Sequence, residues 1–309
     1  MSNSNTTDFT NPSTFILLGI PGLEVAHFWI SIPFCTMYII AILGNFTILF
    51  ISLHGPMYYF LCMLAVTDLV VYMSILPKIL AIFCFNYREI SFSACLTQMY
   101  FIHCFSVMES GIFVAMALDR YVAICEPLRH SMTLTNSLVA KIGLAVVLRG
   151  CIVVFPSLTV KTMALLQNHR HPQLYCAHIA VVNLACADTR VSSYYGLFVQ
   201  FCVIGVDGTF IAVSHIQILR AIFSLPTKDA RLKTFETCSS HLFVILAFYI
   251  PGRIISLMNR FAQNVPQHFH VLIVNVYLLL PPMLNPIFYG VRTKQIRGRL
   301  LQLFTHKGA

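Results

Sequence analysis

Seven separate runs of about twenty or more mainly apolar residues punctuate this chain, at 27–53, 57–82, 93–119, 139–160, 192–222, 236–258 and 268–291. A run of that length is what a helix needs to cross the hydrocarbon of a bilayer, where every backbone N–H and C=O must be bonded within the structure. The expected fold is therefore an all-α membrane protein, a bundle of seven transmembrane helices. Composition agrees. Hydrophobic residues make up 58% of the 309 and charged residues 10%, where a soluble domain carries about 25% charged. The net charge of +9 does not mark a nucleic-acid binder, because the basic residues are spread over short loops and the tail. They suit anionic lipid headgroups instead.

Orientation follows from those loops. With the N-terminus outside, twelve of the twenty Lys and Arg residues fall on the inner side and six on the outer side, with Arg149 and Arg253 inside spans. Cytoplasmic loops collect basic residues, so the N-terminus is expected outside. The first 14 residues are polar and lack a basic start, so the first span is expected to act as a signal anchor. Asn5-Thr6-Thr7 is a glycosylation sequon, whereas Asn11-Pro12-Ser13 is excluded by its proline. After Tyr289 the chain is too basic to span. Val291, Ile296, Leu300 and Phe304 there share roughly one side, as a short amphipathic C-terminal helix on the inner surface requires. The organisation expected is one domain over 1–309: an outer N-terminus (1–26), the bundle (27–291), and an inner helix and tail (292–309).

Charges inside spans are expensive and point to sites. In "FYIPGRIISLMNRF", Arg253 and Arg260 are seven residues apart, on one helical face with Tyr249 and Ser256. An arginine in hydrocarbon costs about 3 kcal/mol, so this face should turn to an interior cavity or lie near the interface. Asp68 and Glu109 stand in the middle of the second and third spans. Two readings stand for them: a shared sodium ion, or two neutral hydrogen-bonded acids, since like charges do not both ionise cheaply in a dry place.

Four further features occur in order along the spans: Asn45 in the first, Asp68 in the second, Asp119-Arg120-Tyr121 closing the third, and Asn285-Pro286-Ile287-Phe288-Tyr289 ending the seventh. Together they resemble a rhodopsin-class G-protein-coupled receptor. "PMYYFLCMLAVTDL", "MALDRYVAICEPLRH", "KTFETCSSHL" and "PMLNPIFYG" narrow the resemblance to olfactory receptors, and "FILLGIPGLE" with "YCAHIAVVNLACADTRV" to class I, close to family 52. The resemblance runs essentially the full length. It implies an odorant ligand, a stimulatory olfactory-type G protein as partner, and a rise in cyclic AMP. It also implies that Arg120 leaves Asp119 on activation, with Tyr121, His215, Asn285, Pro286 and Tyr289 at the coupling end. It pairs Cys95 with Cys176, while most of the eleven cysteines are read as small apolar packing residues.

For the ligand, the resemblance points to His103, His178 and the face of Tyr249, Arg253, Ser256 and Arg260, with Val107, Ile204 and Phe198 holding an aliphatic part. Class I receptors often detect carboxylic acids, and the position matching Arg260 is where relatives hold the carboxylate. A guanidinium presents a rigid fork of donors that fits a carboxylate. For Arg260 the competing reading is snorkelling or pairing with Asp188; for Arg253 it is pairing with Asp207 or Glu109; for the two histidines it is satisfied burial. Several residues depart from the family pattern: His215 for a tyrosine, Glu236 for a small hydroxylated residue, Gly55 for a glutamate, and no loop cysteine to partner Cys186. They keep open a divergent receptor that binds but couples poorly. A transporter is the rival from another class, opposed by the lack of an inverted repeat. No lysine lies in the seventh span for retinal, and no acid in the outer third span for an amine. No nucleophile–base or metal constellation supports an enzyme, and no cofactor is expected beyond the sodium ion.

Overall fold

The computed structural model describes residues 14–17, 19–20, 26–51, 55–156, 170–171, 174–176, 190–261, 266–292 and 298. The side chains at 131, 170–171, 190–193, 256, 259–261, 267 and 291–292 lie outside that description. Among the described residues, seven helices are long and apolar enough to cross a bilayer. We number them α1 (His27–Phe50), α2 (Pro56–Phe85), α3 (Phe92–Cys125), α4 (Asn136–Val154), α5, α6 (Lys228–Phe261) and α7 (Gln267–Arg292). Helix α5 is composite: Arg190–Phe201, a π-helical turn at Cys202–Val206, and Asp207–Phe223.

Helix ends follow local chemistry. Ser91 and Thr135 accept hydrogen bonds from the backbone N–H of Ala94 and Leu138, capping α3 and α4. Helix α3 runs six residues past Asp119, so Asp119-Arg120-Tyr121 lies within a helix instead of ending it; Pro127 follows and disfavours helix at Glu126. Helix α6 begins eight residues before the apolar run, because "KDARLKTF" contains no breaker and Thr227 caps it through the Ala230 N–H. Gly55 enters α2 with φ 141°, a region open to glycine and strained for any residue with a side chain.

A three-stranded sheet, absent from the sequence expectation of helices alone, caps the outer end. Its order is β2-β1-β3, with β1 (Thr14–Leu17) antiparallel to β2 (Glu89–Ser91) and parallel to β3 (Arg170–His171). Phe15 and Leu17 point into the bundle and are fully buried.

Packing divides the interior into two apolar halves. The outer half gathers Phe15, Tyr38, Tyr72, Ile75, Met99 and Val271; the inner half gathers Ile48, Leu64, Phe113, Met116, Val244 and Tyr289. Lipid tails are as apolar as these side chains, so close fit rather than water exclusion holds the helices together. A Cβ on Gly44 would lie 2.6 Å from the ring of Pro286, so α1 and α7 touch there by virtue of a missing side chain. Between the two halves lies a thin polar layer.

Candidate functional site

That layer is built from one residue on each of four helices: Asn45 on α1, Asp68 on α2, Glu109 on α3 and Asn285 on α7, all buried. Asn45 Nδ2 donates to the carbonyls of Ala41 and Pro282, each at 3.0 Å, and Asn285 Nδ2 donates to Asp68 Oδ2 at 2.9 Å. Glu109 is the neighbour of Asp68 in this layer. Four buried oxygens remain without a hydrogen-bond partner: Asn45 Oδ1, Asp68 Oδ1, Glu109 Oε1 and Asn285 Oδ1. Carboxylate and amide oxygens are the donors that hard cations take. The residues therefore fit a sodium ion as well as they fit a shared proton.

A second polar chain crosses four helices, three of them outside that layer. The Tyr249 hydroxyl on α6 lies 2.5 Å from Ser110 Oγ on α3, and Ser110 donates to Asp207 Oδ2 on α5 at 2.6 Å. Arg149 on α4 donates to the same oxygen at 2.8 Å. Asp207 is buried, while Arg149 keeps about a third of its side chain exposed (33%). Of the two partners that the sequence reading offered to Arg253, Asp207 is thus taken by Arg149. Two charges inside spans four and five were the available signal; their pairing was not, and Ser110 carried none.

At the inner end Asp119 holds two partners, Arg120 at 2.9 Å and the ring Nε2 of His130 at 3.1 Å. Tyr121 packs on Ile218, Ile222 and Cys238, and Pro286 against Gly44. His215 donates from Nδ1 to the carbonyl of Ile211 at 2.8 Å, and its ring stacks on His241 with centroids 5.8 Å apart. His241 in turn faces Tyr289 at 6.3 Å. The sequence reading missed His130 and His241, which carry no charge signature in the chain.

At the outer end Cys95 and Cys176 form a disulfide, Cα–Cα 5.4 Å. Gln98 braces it, accepting from the Cys176 N–H and donating to the Ser74 carbonyl, both at 2.9 Å. Burial beside this bridge pushes the Tyr175 phenol above its ordinary range. Val107 is buried among Cys104, Met108, Val154 and Val203, and His103 is half-buried one turn away. Arg253 differs from expectation. Its side chain is exposed and lines a groove against α5. Asn5, His178, Cys186 and Asp188, the side chains of Ser256 and Arg260, and all of 293–309 except 298 lie outside the described residues.

The sequence that folds into this bundle is similar to known proteins. The family model described as olfactory receptor matches residues 34–307. Among curated human proteins, the chain is 54% identical to olfactory receptor 52R1, covering 95% of each chain. It is 50% identical to olfactory receptor 52K2 over 99% of each, and 49% identical to olfactory receptor 51E2 over 98% of this chain and 96% of that one. The chain belongs to the olfactory receptor family of G-protein-coupled receptors, which are multi-pass plasma-membrane proteins and not enzymes.

Proposed function

We propose that this odorant receptor recognises small and medium carboxylic acids and, when occupied, activates a stimulatory olfactory-type G protein that raises cyclic AMP. The observation that carries the reading is the position of Tyr249. Its hydroxyl ends the chain Tyr249–Ser110–Asp207–Arg149, and by helical register it shares a face with Ser256 and Arg260. A carboxylate held by Arg260 and Ser256 would lie two to three turns outward of a network that ties α6 to three other helices. A ligand that binds one arrangement of this network better shifts the balance towards it. His103, His178 and Val107 complete the ligand set of this reading, and Asn5 is its glycosylation site.

The inner end supplies the response. Arg120 exchanges Asp119 for the side of the bundle that carries His215, His241 and Tyr289, while Tyr121, Asn285 and Pro286 transmit the shift of α7. A sodium ion held by Asp68 and Glu109 would favour the resting arrangement by tying the middle of the bundle together. A second reading, a receptor that binds but couples weakly, draws support from His215. Its Nδ1 is committed to its own helix, so the imidazole has less reach towards a released Arg120 than a tyrosine.

The test is cyclic AMP in cells with matched surface levels, dosed with straight-chain acids and the corresponding alcohols. Acid-selective responses lost in Arg260→Ala are expected, with Tyr249→Phe lowering the maximal response at unchanged potency. A wild type that answers alcohols as well as acids refutes the carboxylate reading. Silence to all, relieved by His215→Tyr, favours the weak-coupling reading.

A further inference from the structure

The outer halves of α5 and α6 do not close on each other. Between them is a cavity of about 420 Å³ lined by Phe201, Ile204, Gly205, Gly208, Thr209, Ala212, Val213 and Arg253. It opens sideways, towards the bilayer: Phe201 is 71% exposed and Val213 52%. Thr209 gives its hydroxyl proton to the Gly205 carbonyl at 2.7 Å, so the wall offers hydrocarbon, glycine backbone and a single cation. That cation has no ion pair or hydrogen bond among the described residues. It stands eight residues before the end of α6, about 12 Å in at 1.5 Å per residue. An unneutralised guanidinium at that depth is costly.

From this we infer that the groove is a lateral binding site for a single-chain anionic amphiphile, a long-chain fatty acid carboxylate taken from the outer leaflet. Arg253 binds the carboxylate and the α5 wall, with its small residues, receives the chain. Three features select this occupant. One guanidinium neutralises one monovalent head, where a phosphate would call for more donors. The volume lies at the lower end of ordinary ligand sites and suits one chain rather than the two of a phospholipid. The missing side chains at Gly205 and Gly208 make the wall a trough: a Cβ at Gly208 would meet nothing within 4 Å. Neither Tyr249 nor Ser110 lines the groove, and the inference does not depend on the carboxylate reading at Arg260.

The experiment uses the full-length receptor in phosphatidylcholine nanodiscs and a palmitic acid probe carrying a diazirine and an alkyne. After irradiation, labelled peptides are mapped by mass spectrometry. Labelling is expected within 201–213 and on the neighbouring stretch of α6, competed by palmitate and not by methyl palmitate. Arg253→Gln should weaken it about tenfold, the loss of one charge-assisted contact; Arg253→Lys should retain most of it. Gly208→Leu fills the trough without a clash and should abolish labelling with Arg253 intact, which separates site loss from misfolding. Arg260→Ala should leave it unchanged, so failure of the carboxylate reading at Arg260 and failure here are distinguishable. Equal competition by the methyl ester, labelling indifferent to both Arg253→Gln and Gly208→Leu, or a diazirine phosphatidic acid that palmitate cannot displace would each overturn the inference.

Discussion

Replacing Arg149 by methionine keeps the length of the side chain and removes the one charge paired with Asp207 among the described residues. At 2.8 Å the pair attracts by about 6 kcal/mol at an effective dielectric of about 20, a gross figure that desolvation largely offsets. Asp207 is 4% exposed, so without Arg149 its charge keeps only the Ser110 hydroxyl, and stranding a buried charge costs about 3–5 kcal/mol. For a chain of this size about 2 °C of melting midpoint goes with each kcal/mol, so Arg149→Met should lower the midpoint by about 6–10 °C. Asp207→Leu should cost less, about 2–3 kcal/mol, because Arg149 is 33% exposed and can turn to water or headgroups. The double variant leaves no charge unpaired and should be more stable than the sum of the singles implies, by about 2 kcal/mol, within the range seen for contacting residues. Thermal unfolding of the purified receptor in one detergent, followed by a thiol-reactive dye, reads all four corners of the cycle. A double variant that loses the full sum refutes the pair as an energetic unit, and with it the continuity of the chain from Arg149 to Tyr249.

Three further outcomes are expected. Gly44→Ala drives a methyl against the rigid Pro286 ring and should cost about 1–3 kcal/mol, whereas Gly143→Ala meets only the flexible end of Met63 and should cost under about 1 kcal/mol; melting midpoints of the two variants check the contrast. Cys95→Ser opens a covalent loop of sequence separation 81, worth about 4 kcal/mol, and should nearly abolish surface staining in flow cytometry. Asp68→Asn should remove any sodium dependence of the melting midpoint that the wild type shows when sodium replaces choline, while Asn86→Ala, at the exposed end of α2, should leave it intact.

Much of this architecture was legible in the chain. The seven apolar runs became seven helices, and Asp68 and Glu109, read as sharing a depth, meet in one layer with Asn45 and Asn285. What escaped has a physical reason. Helix direction around its own axis is written by a polar stripe facing water, and a helix in hydrocarbon has no such stripe. Arg149 and Asp207 were therefore visible as charges and invisible as a pair. The same blindness put Arg253 with Tyr249, although its exposed side chain lines a groove against α5. Strand β1 was hidden for another reason: "TFIL" is too short to show alternation, and both of its partners are distant in sequence. The π-turn at Cys202–Val206 breaks the helical count within an unbroken apolar run.

Asp119 offers one oxygen to Arg120 and the other to His130. If Arg120 withdraws as proposed, the carboxylate is not left bare; the imidazole of His130 stays within hydrogen-bonding distance of its other oxygen. Only the guanidinium has to find a new home, and its Nε already lacks a hydrogen-bond partner. Stranding both groups would open a gap of several kcal/mol. Taking a two-state balance from one extreme to the other already asks about 5.5 kcal/mol of a ligand. By holding Asp119 in place, His130 keeps the toll of leaving low, so a small volatile molecule with few contacts to give has enough leverage to tip the receptor.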